Sequence, residues 1–300
     1  MYIYCAGTGS PAVVIESGLS SDSLGWYGVQ RDLARTTRVC AYDRSGLGLS
    51  EPRPGPRDAE SISRQLHELL AQAGVTPLYL PVGWSAGGLY VREYARQFPG
   101  EIAGMVLVES SVPRQLDETP GFRESWEAEM RDLPRQYMWE RLRVWTGWER
   151  LMGRCHNRPA KELESLPRDE LARLVGVYNA KTCRSEYVGG ELGELIAFEA
   201  SARQAGRLNS FGNVPLLIVT KDPDQNGKKM SAADIAELAI WSREQDEMMS
   251  LSPKSWHVIA HGPGHAVHHG RPELLVSEIG RLIGCLRGGS APPFGTTTTK

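Results

Sequence analysis

The sequence has no apolar run long enough to cross a bilayer, and it has almost no net charge. Its 300 residues carry 34 Lys and Arg against 36 Asp and Glu. This balance argues against nucleic acid or an anionic membrane as the main partner. No charged-then-apolar leader is visible, and strand-like sequence opens at Met1, so we infer that an earlier strand or a leader is missing. We expect a cytoplasmic protein, with export as the alternative.

Cysteine is scarce and odd in number, so a disulfide framework is not indicated. Cys5 and Cys40 lie in apolar strand-like segments and Cys285 lies in an apolar helical segment. Buried free thiols are the expected state at these three positions. Cys155 and Cys183 both fall in the middle of the chain, where a single bridge between them stays open.

Strands and helices alternate through most of the chain, but not between residues 113 and 213. This α/β rhythm predicts a mainly parallel, doubly wound sheet that is covered on both faces, with functional loops at the carboxyl ends of its strands. Residues 113–213 are charged and Trp-rich and read as helices alone. We therefore predict an α/β core of residues 1–112 and 214–287, an inserted helical cap of residues 113–213, and a flexible tail of residues 288–300.

The most informative stretch is Gly83-Trp84-Ser85-Ala86-Gly87. A lone Gly-x-Ser-x-Gly can be a plain turn, but here an apolar β-rich run precedes it and helical spacing follows it. The small residues on either side allow a sharp turn that lifts the Ser85 hydroxyl clear of the sheet. The motif therefore predicts Ser85 as a nucleophile.

A serine hydroxyl needs a base, and His265 is the best candidate among seven histidines. It lies in a Gly/Pro loop after the last predicted core strand, so it reaches the same rim of the sheet as Ser85. His261, His268 and His269 lie nearby, but Gly262-Pro263-Gly264 cannot hold the helix that a zinc-protease motif requires. We predict no metal site, and His261 is the reserve candidate for the base.

In combination, three segments resemble the α/β-hydrolase fold family: the Ser85 turn, the His265 loop, and Asp43-Arg44-x-Gly46-x-Gly48. The third segment lacks the signature of a phosphate loop, and the family carries a similar stretch as a structural turn. The resemblance runs from Tyr2 to about Leu286, with residues 113–213 matching only as a variable cap.

The resemblance offers two positions for the carboxylate that orients the base. Glu109 ends the strand after the Ser85 helix, where some family members carry their acid. Asp222 follows the next predicted strand, which is the commoner position. The loop around Asp222 departs from the usual family pattern, so Glu109 is slightly preferred and both stay open.

The resemblance also implies an oxyanion hole made of two backbone amides. Ala86 supplies the first, and Leu19, in the loop after the strand Ala12 to Glu16, supplies the second. The family's usual His-Gly pair is replaced here by Ser17-Gly18. Gly18 and Trp84 are expected to lie against the substrate.

The implied activity is a serine hydrolase that cleaves a small-molecule ester or lactone without metal or organic cofactor. Amidase, iminopeptidase, thioesterase, acyltransferase and carbon-carbon hydrolase activities use the same machinery and stay open, as does a ligand receptor with little turnover. Ser85 argues against haloalkane dehalogenase and epoxide hydrolase chemistry, because those relatives use Asp at the elbow. The sequence does not indicate whether the protein is a monomer or an oligomer.

Overall fold

The computed structural model describes residues 1–118, 121–154, 167–223, 231–262, 264–290 and 295–299. Its centre is an eight-stranded sheet in the order β1-β3-β2-β4-β5-β6-β7-β8, in which only β1 is antiparallel to its neighbour. The strands are β1 (Tyr2–Ala6), β2 (Ala12–Glu16), β3 (Val39–Asp43), β4 (Tyr79–Trp84), β5 (Met105–Val108), β6 (Leu216–Lys221), β7 (Ser255–Ala260) and β8 (Gly295–Thr299). The predicted parallel α/β sheet is confirmed.

Helices cover both faces of this sheet. They are α1 (Tyr27–Leu33), α2 (Ala59–Gln72), α3 (Ala86–Gln97), α4 (Gln115–Glu118), α5 (Phe122–Trp145), α6 (Trp148–Leu151), α7 (Arg168–Thr182), α8 (Ser185–Ala205), α9 (Ala232–Glu247), α10 (Val267–Gly270) and α11 (Pro272–Leu286). We call α4 to α8, which lie between β5 and β6, the inserted helices. Among the helices that the structure describes, none has the length and apolar content that a bilayer crossing requires.

Strand β2 shows why the central strands read as continuous apolar runs. Val13 and Ile15 point to one buried cluster, which also contains residues of α1 and α11. Val14 points to the opposite cluster, which contains residues of α2 and α3. Since successive side chains of a strand face opposite sides, a sheet covered on both faces needs apolar residues at every position.

Cys5 and Cys40 form a disulfide, so the prediction of two free thiols was wrong. The antiparallel pairing of β1 with β3 places the two cysteines directly opposite each other, with a Cα to Cα distance of 4.0 Å. The sequence pattern predicted that each cysteine lies in a strand. It did not predict the register that pairs two residues 35 positions apart. Cys285 is free as predicted but only partly buried, whereas Cys155 lies outside the described residues.

The predicted flexible tail also differs from the structure. Residues 295–299 form the edge strand β8, which pairs in parallel with β7 from Trp256 to Ala260. Four consecutive Thr residues explain the strand, because β-branched side chains favour extended backbone. The low-complexity appearance of the segment concealed this propensity.

Candidate active site

Ser85 connects β4 to α3 in a strained backbone conformation, with φ of 53° and ψ of −126°. A Cβ on Gly83 would lie 2.7 Å from the Gly87 carbonyl oxygen, and one on Gly87 would lie 2.3 Å from the Glu16 carbonyl oxygen. No side chain fits at either position. The tight turn expected from the motif is therefore present, and it holds Ser85 at the carboxyl end of the sheet.

The four strands β4 to β7 are adjacent, and each ends in a candidate site residue or in the loop that carries one. Ser85 follows β4, Glu109 follows β5 and Asp222 follows β6. His261 and His265 follow β7. Because parallel strands end at one rim, residues far apart in sequence gather there.

His265 faces Glu109, with 3.2 Å between the imidazole Nδ1 and Oε2 of the carboxylate. Glu109 is completely buried, whereas the His265 side chain is 45% exposed. The backbone amide of Lys221 donates to Oε1 of Glu109 at 2.8 Å, and the Trp241 indole donates to the same oxygen at 3.4 Å. Three different elements therefore fix the carboxylate.

The backbone of Glu109 is also unusual, since its φ is 43°. A residue with a side chain rarely adopts this left-handed conformation, and such strain concentrates at functional sites. The Glu109 amide nevertheless donates to the Val219 carbonyl at 2.8 Å. Strand β6 thus holds the residue in the turn that directs its carboxylate toward His265.

Asp222 pairs with a different histidine. Its Oδ2 contacts Nδ1 of His261, and its amide donates to the Ala260 carbonyl at 2.8 Å. The His261 carbonyl in turn accepts a bond of 2.9 Å from Arg271. The site therefore contains two histidine-carboxylate pairs, of which the sequence had predicted one.

Trp84 links the Ser85 turn to the histidine loop. Its indole Nε1 donates to the His265 carbonyl at 2.9 Å, and its ring lies 4.4 Å from the ring of His268, centroid to centroid. His268 also stacks on Trp26, and burial lowers the pKa of His268 well below its ordinary value. The contacts that Trp84 makes here are with the base loop; its predicted contact with substrate stays a prediction.

The two predicted oxyanion donors, Ala86 and Leu19, are the residues that follow Ser85 and Gly18. Ala86 is the first residue of α3, so its amide has no acceptor within the helix. A Cβ on Gly18 would lie 2.8 Å from the Trp84 ring and 3.2 Å from Cβ of Ser85. Only glycine allows this approach of residue 18 to the Ser85 turn. The role of the adjacent Leu19 amide stays a prediction.

Sequence reasoning missed three contributors to this region: Lys221, Trp241 and Glu194 of α8. Lys221 is adjacent to Asp222, so its place at the rim was readable. Glu194 lies 85 residues after Glu109, and Trp241 lies 19 residues after Asp222. No motif marks either residue. Across the ranges that the structure describes, no group of three or more His, Cys, Asp or Glu side chains forms a metal site.

Comparison with known proteins shows which sequences and structures this chain is similar to. A family model described as "alpha/beta hydrolase fold" matches residues 11–141. An "AB hydrolase superfamily protein" of Gibberella zeae (strain PH-1) is 25% identical over 92% of this chain and 87% of its own length. Two other curated relatives match over shorter segments, so that the chain spans 18% and 36% of their lengths.

Solved structures agree on the fold. A thermophilic esterase from Thermogutta terrifontis superposes with a TM-score of 0.62 at 18% identity, covering 95% of this chain and 93% of the esterase. A putative epoxide hydrolase from Pseudomonas aeruginosa superposes with a TM-score of 0.65 at 16% identity, covering 95% and 92%. With the parallel sheet, the strained serine turn and the sequence relatives taken together, the chain has the α/β-hydrolase fold and is similar to members of that family.

Proposed function

We propose that the chain is a serine hydrolase that cleaves carboxylic esters or lactones through an acyl-enzyme on Ser85. The observation that carries the proposal is the contact between His265 and the buried Glu109 beside the strained serine turn. A histidine held through Nδ1 by a carboxylate presents Nε2 as the basic nitrogen, which is the arrangement that activates a serine hydroxyl.

In the proposed reaction, Ser85 attacks the substrate carbonyl and gives its proton to Nε2 of His265. Glu109 keeps the imidazole in the required tautomer and stabilises the imidazolium that forms. The amides of Leu19 and Ala86 bind the oxyanion, and losing one such donor raises a barrier by roughly 3 kcal/mol. His265 then protonates the leaving alkoxide, and a water that it activates releases the acid.

The support for Glu109 over Asp222 as the third member is geometric. Glu109 is buried and faces His265, whereas Asp222 is engaged by His261. The Lys221 ammonium lies 3.8 Å from Oε2 of Glu109 and adds a positive charge at the carboxylate. We infer that Asp222 and His261 support the loop that carries His265.

The similarity to a putative epoxide hydrolase concerns the fold. Epoxide hydrolysis in this family requires a carboxylate nucleophile at the elbow, and this chain has Ser85 there. A serine hydroxyl forms an acyl ester with carbonyl substrates, so esters and lactones fit the residue present. The inserted helices would form the cap that limits which substrates reach Ser85.

A substrate panel tests the proposal. Wild-type protein, Ser85→Ala and the surface control Ser250→Ala would be assayed with p-nitrophenyl esters, lactones, acyl thioesters and p-nitroanilides. We expect esters or lactones to be turned over, with a loss of at least about a thousandfold in Ser85→Ala and no change in Ser250→Ala. Equal turnover by Ser85→Ala would refute the proposal. Tight binding of a lactone without turnover would identify a receptor instead.

A further inference from the structure

The oxyanion loop, residues 17–21, rests on a single buried guanidinium. Arg44 donates through Nη1 to the Ser17 carbonyl at 2.8 Å and through Nη2 to the Gly18 carbonyl at 2.7 Å. Its side chain is only 3% exposed. The turn that carries Arg44 was predicted to be structural, but its arginine reaches the carbonyls immediately before the Leu19 amide.

The other side of this guanidinium is held by a carboxylate from the inserted helices. Glu194 of α8 accepts from Arg44 Nε at 2.6 Å and from Nη2 at 2.8 Å, in a two-pronged contact between residues 150 positions apart. Paired bonds of this kind fix orientation as well as distance. The Glu194 side chain is only 1% exposed.

Glu194 also contacts the oxyanion loop directly. Its Oε2 accepts a bond of 3.0 Å from the Ser20 amide, and Ser20 has a left-handed φ of 56°. The Leu19 amide thus lies between two residues that Glu194 holds, Gly18 through Arg44 and Ser20 without an intermediate. Rotation of the Leu19 peptide requires one of these bonds to break.

Arg44 also contacts a second buried carboxylate, that of Glu16. Glu16 accepts from Arg44 Nη1 at 2.7 Å and also contacts the Tyr42 hydroxyl. Burial raises the pKa of Glu16 to about 7, although Arg44 acts to lower it. Of these two carboxylates, Glu194 also accepts the Ser20 amide, so it is the one that connects Arg44 to residues 17–21.

Helix α8 packs against both the turn that carries Arg44 and the oxyanion loop. A Cβ on Gly190 would lie 3.0 Å from the Gly46 carbonyl oxygen, in the turn that carries Arg44. Further along α8, Phe198 and Ala202 belong to the buried cluster against which Leu19 packs. The helix therefore contacts the loop through charge at one turn and through apolar packing at the next.

We propose that Glu194 is a positioning residue that sets the oxyanion-binding amide of Leu19 through Arg44 and Ser20, so that the placement of the inserted helix α8 is coupled to transition-state stabilisation. This inference rests on the proposed function for its catalytic consequence. Its structural part, the control of residues 17–21 by Glu194, stands independently of the reaction.

Glu194→Gln keeps the shape of the side chain but removes its charge, and Glu199→Gln is the matched control. Glu199 lies on the same helix in a surface ion pair of 2.7 Å with Arg203. With p-nitrophenyl esters, we expect Glu194→Gln to lower kcat at least tenfold with less than a threefold change in KM. Inhibition by an oxyanion-forming trifluoromethyl ketone should weaken by the same factor as kcat/KM. Glu199→Gln should match wild type in each measurement.

A purely structural ion pair would lower the melting temperature and leave kcat per folded enzyme unchanged, and that result would overturn the proposal. Should Glu194→Gln fail to fold, Glu194→Asp provides the same test, because it keeps the charge but cannot span both Arg44 nitrogens.

Hydrogen exchange separates this inference from the proposed function. In peptides covering residues 17–21, we expect amide exchange at least tenfold faster in Glu194→Gln than in wild type or Glu199→Gln. Unchanged exchange would refute the coupling whether or not the protein hydrolyses esters. Faster exchange in a protein without any ester or lactone turnover would retain the coupling and reject the proposed function alone.

Discussion

Nδ1 of His265 lies 3.2 Å from Oε2 of Glu109, the buried carboxylate that follows β5. The other carboxylate at the rim, Asp222, contacts His261 instead. Two histidines four residues apart in one loop thus contact two different carboxylates, each at the end of a different strand. The proposed chemistry requires only the first pair, so the two pairs should respond differently to substitution.

Exchange of the two carboxylates for amides distinguishes these pairs. Glu109→Gln should lower kcat by roughly a thousandfold or more, because the amide can no longer hold His265 in the reactive tautomer. Asp222→Asn should lower kcat by less than about tenfold, through the loop alone. Steady-state kinetics with a p-nitrophenyl ester measures both. Full activity of Glu109→Gln would transfer the role to Asp222.

The histidines themselves give an independent comparison. His265→Ala should reduce kcat nearly as much as the loss of the nucleophile, since residues that act as a unit are not additive. His261→Ala removes only the partner of Asp222 and should keep most of the activity. Circular dichroism checks that both variants are folded. Robust turnover by His265→Ala, together with its loss in His261→Ala, would reverse the assignment.

Gly87, two residues after Ser85, lies where no larger residue fits, and thermal unfolding can test this. In Gly87→Ala the new Cβ would lie 2.3 Å from the Glu16 carbonyl oxygen, and we expect a destabilisation of about 1 to 3 kcal/mol. Gly280→Ala in α11 is the control, because nothing lies within 4 Å of its Cβ. That variant should gain up to about 1 kcal/mol from helix propensity. Equal melting temperatures for the two variants would contradict the tight packing of the turn.

Burial of Glu16 predicts a pH dependence of stability. Its pKa rises from 4.5 to about 7 on folding, chiefly through burial. Between these values the folded protein holds a proton that the unfolded chain has released, so this group's contribution is present below pH 4.5 and is lost as pH rises toward 7. The full change is about 3 kcal/mol.

Glu16→Gln should remove that slope, while Glu68→Gln, which alters an exposed side chain, should retain it. Urea unfolding at a series of pH values compares the three proteins. A slope in Glu16→Gln that equals the wild-type slope would show that Glu16 does not bind the proton.

Local signals in the sequence were sufficient for strands β1 to β7, because the buried strands are short apolar runs and the helices between them have clear periodicity and ends. Asp58 is an example: Asp is a preferred residue at the start of a helix, and its carboxylate accepts the Ser61 amide at 2.9 Å at the start of α2. The Gly-x-Ser-x-Gly motif was readable for the same reason. Each of these features depends on residues within a few positions of one another.

Features that depend on strand register or on packing between distant residues could not be predicted from the sequence. Cys5 and Cys40 pair because two strands align in one register, and Glu194 meets Arg44 across 150 residues. The choice between Glu109 and Asp222 belongs to this class, because it depends on which histidine each carboxylate faces. A single sequence does not indicate which of several distant residues come into contact in the fold.

The central claim is that Ser85 is an activated nucleophile, and covalent labelling tests it most directly. Wild-type protein would be treated with a fluorophosphonate and the modified residue located by peptide mass spectrometry, alongside Ser85→Ala and His265→Ala. We predict a single adduct on Ser85, none in Ser85→Ala, and greatly slowed labelling in His265→Ala. Labelling that persists in Ser85→Ala, or a wild-type protein that does not react, would contradict the account.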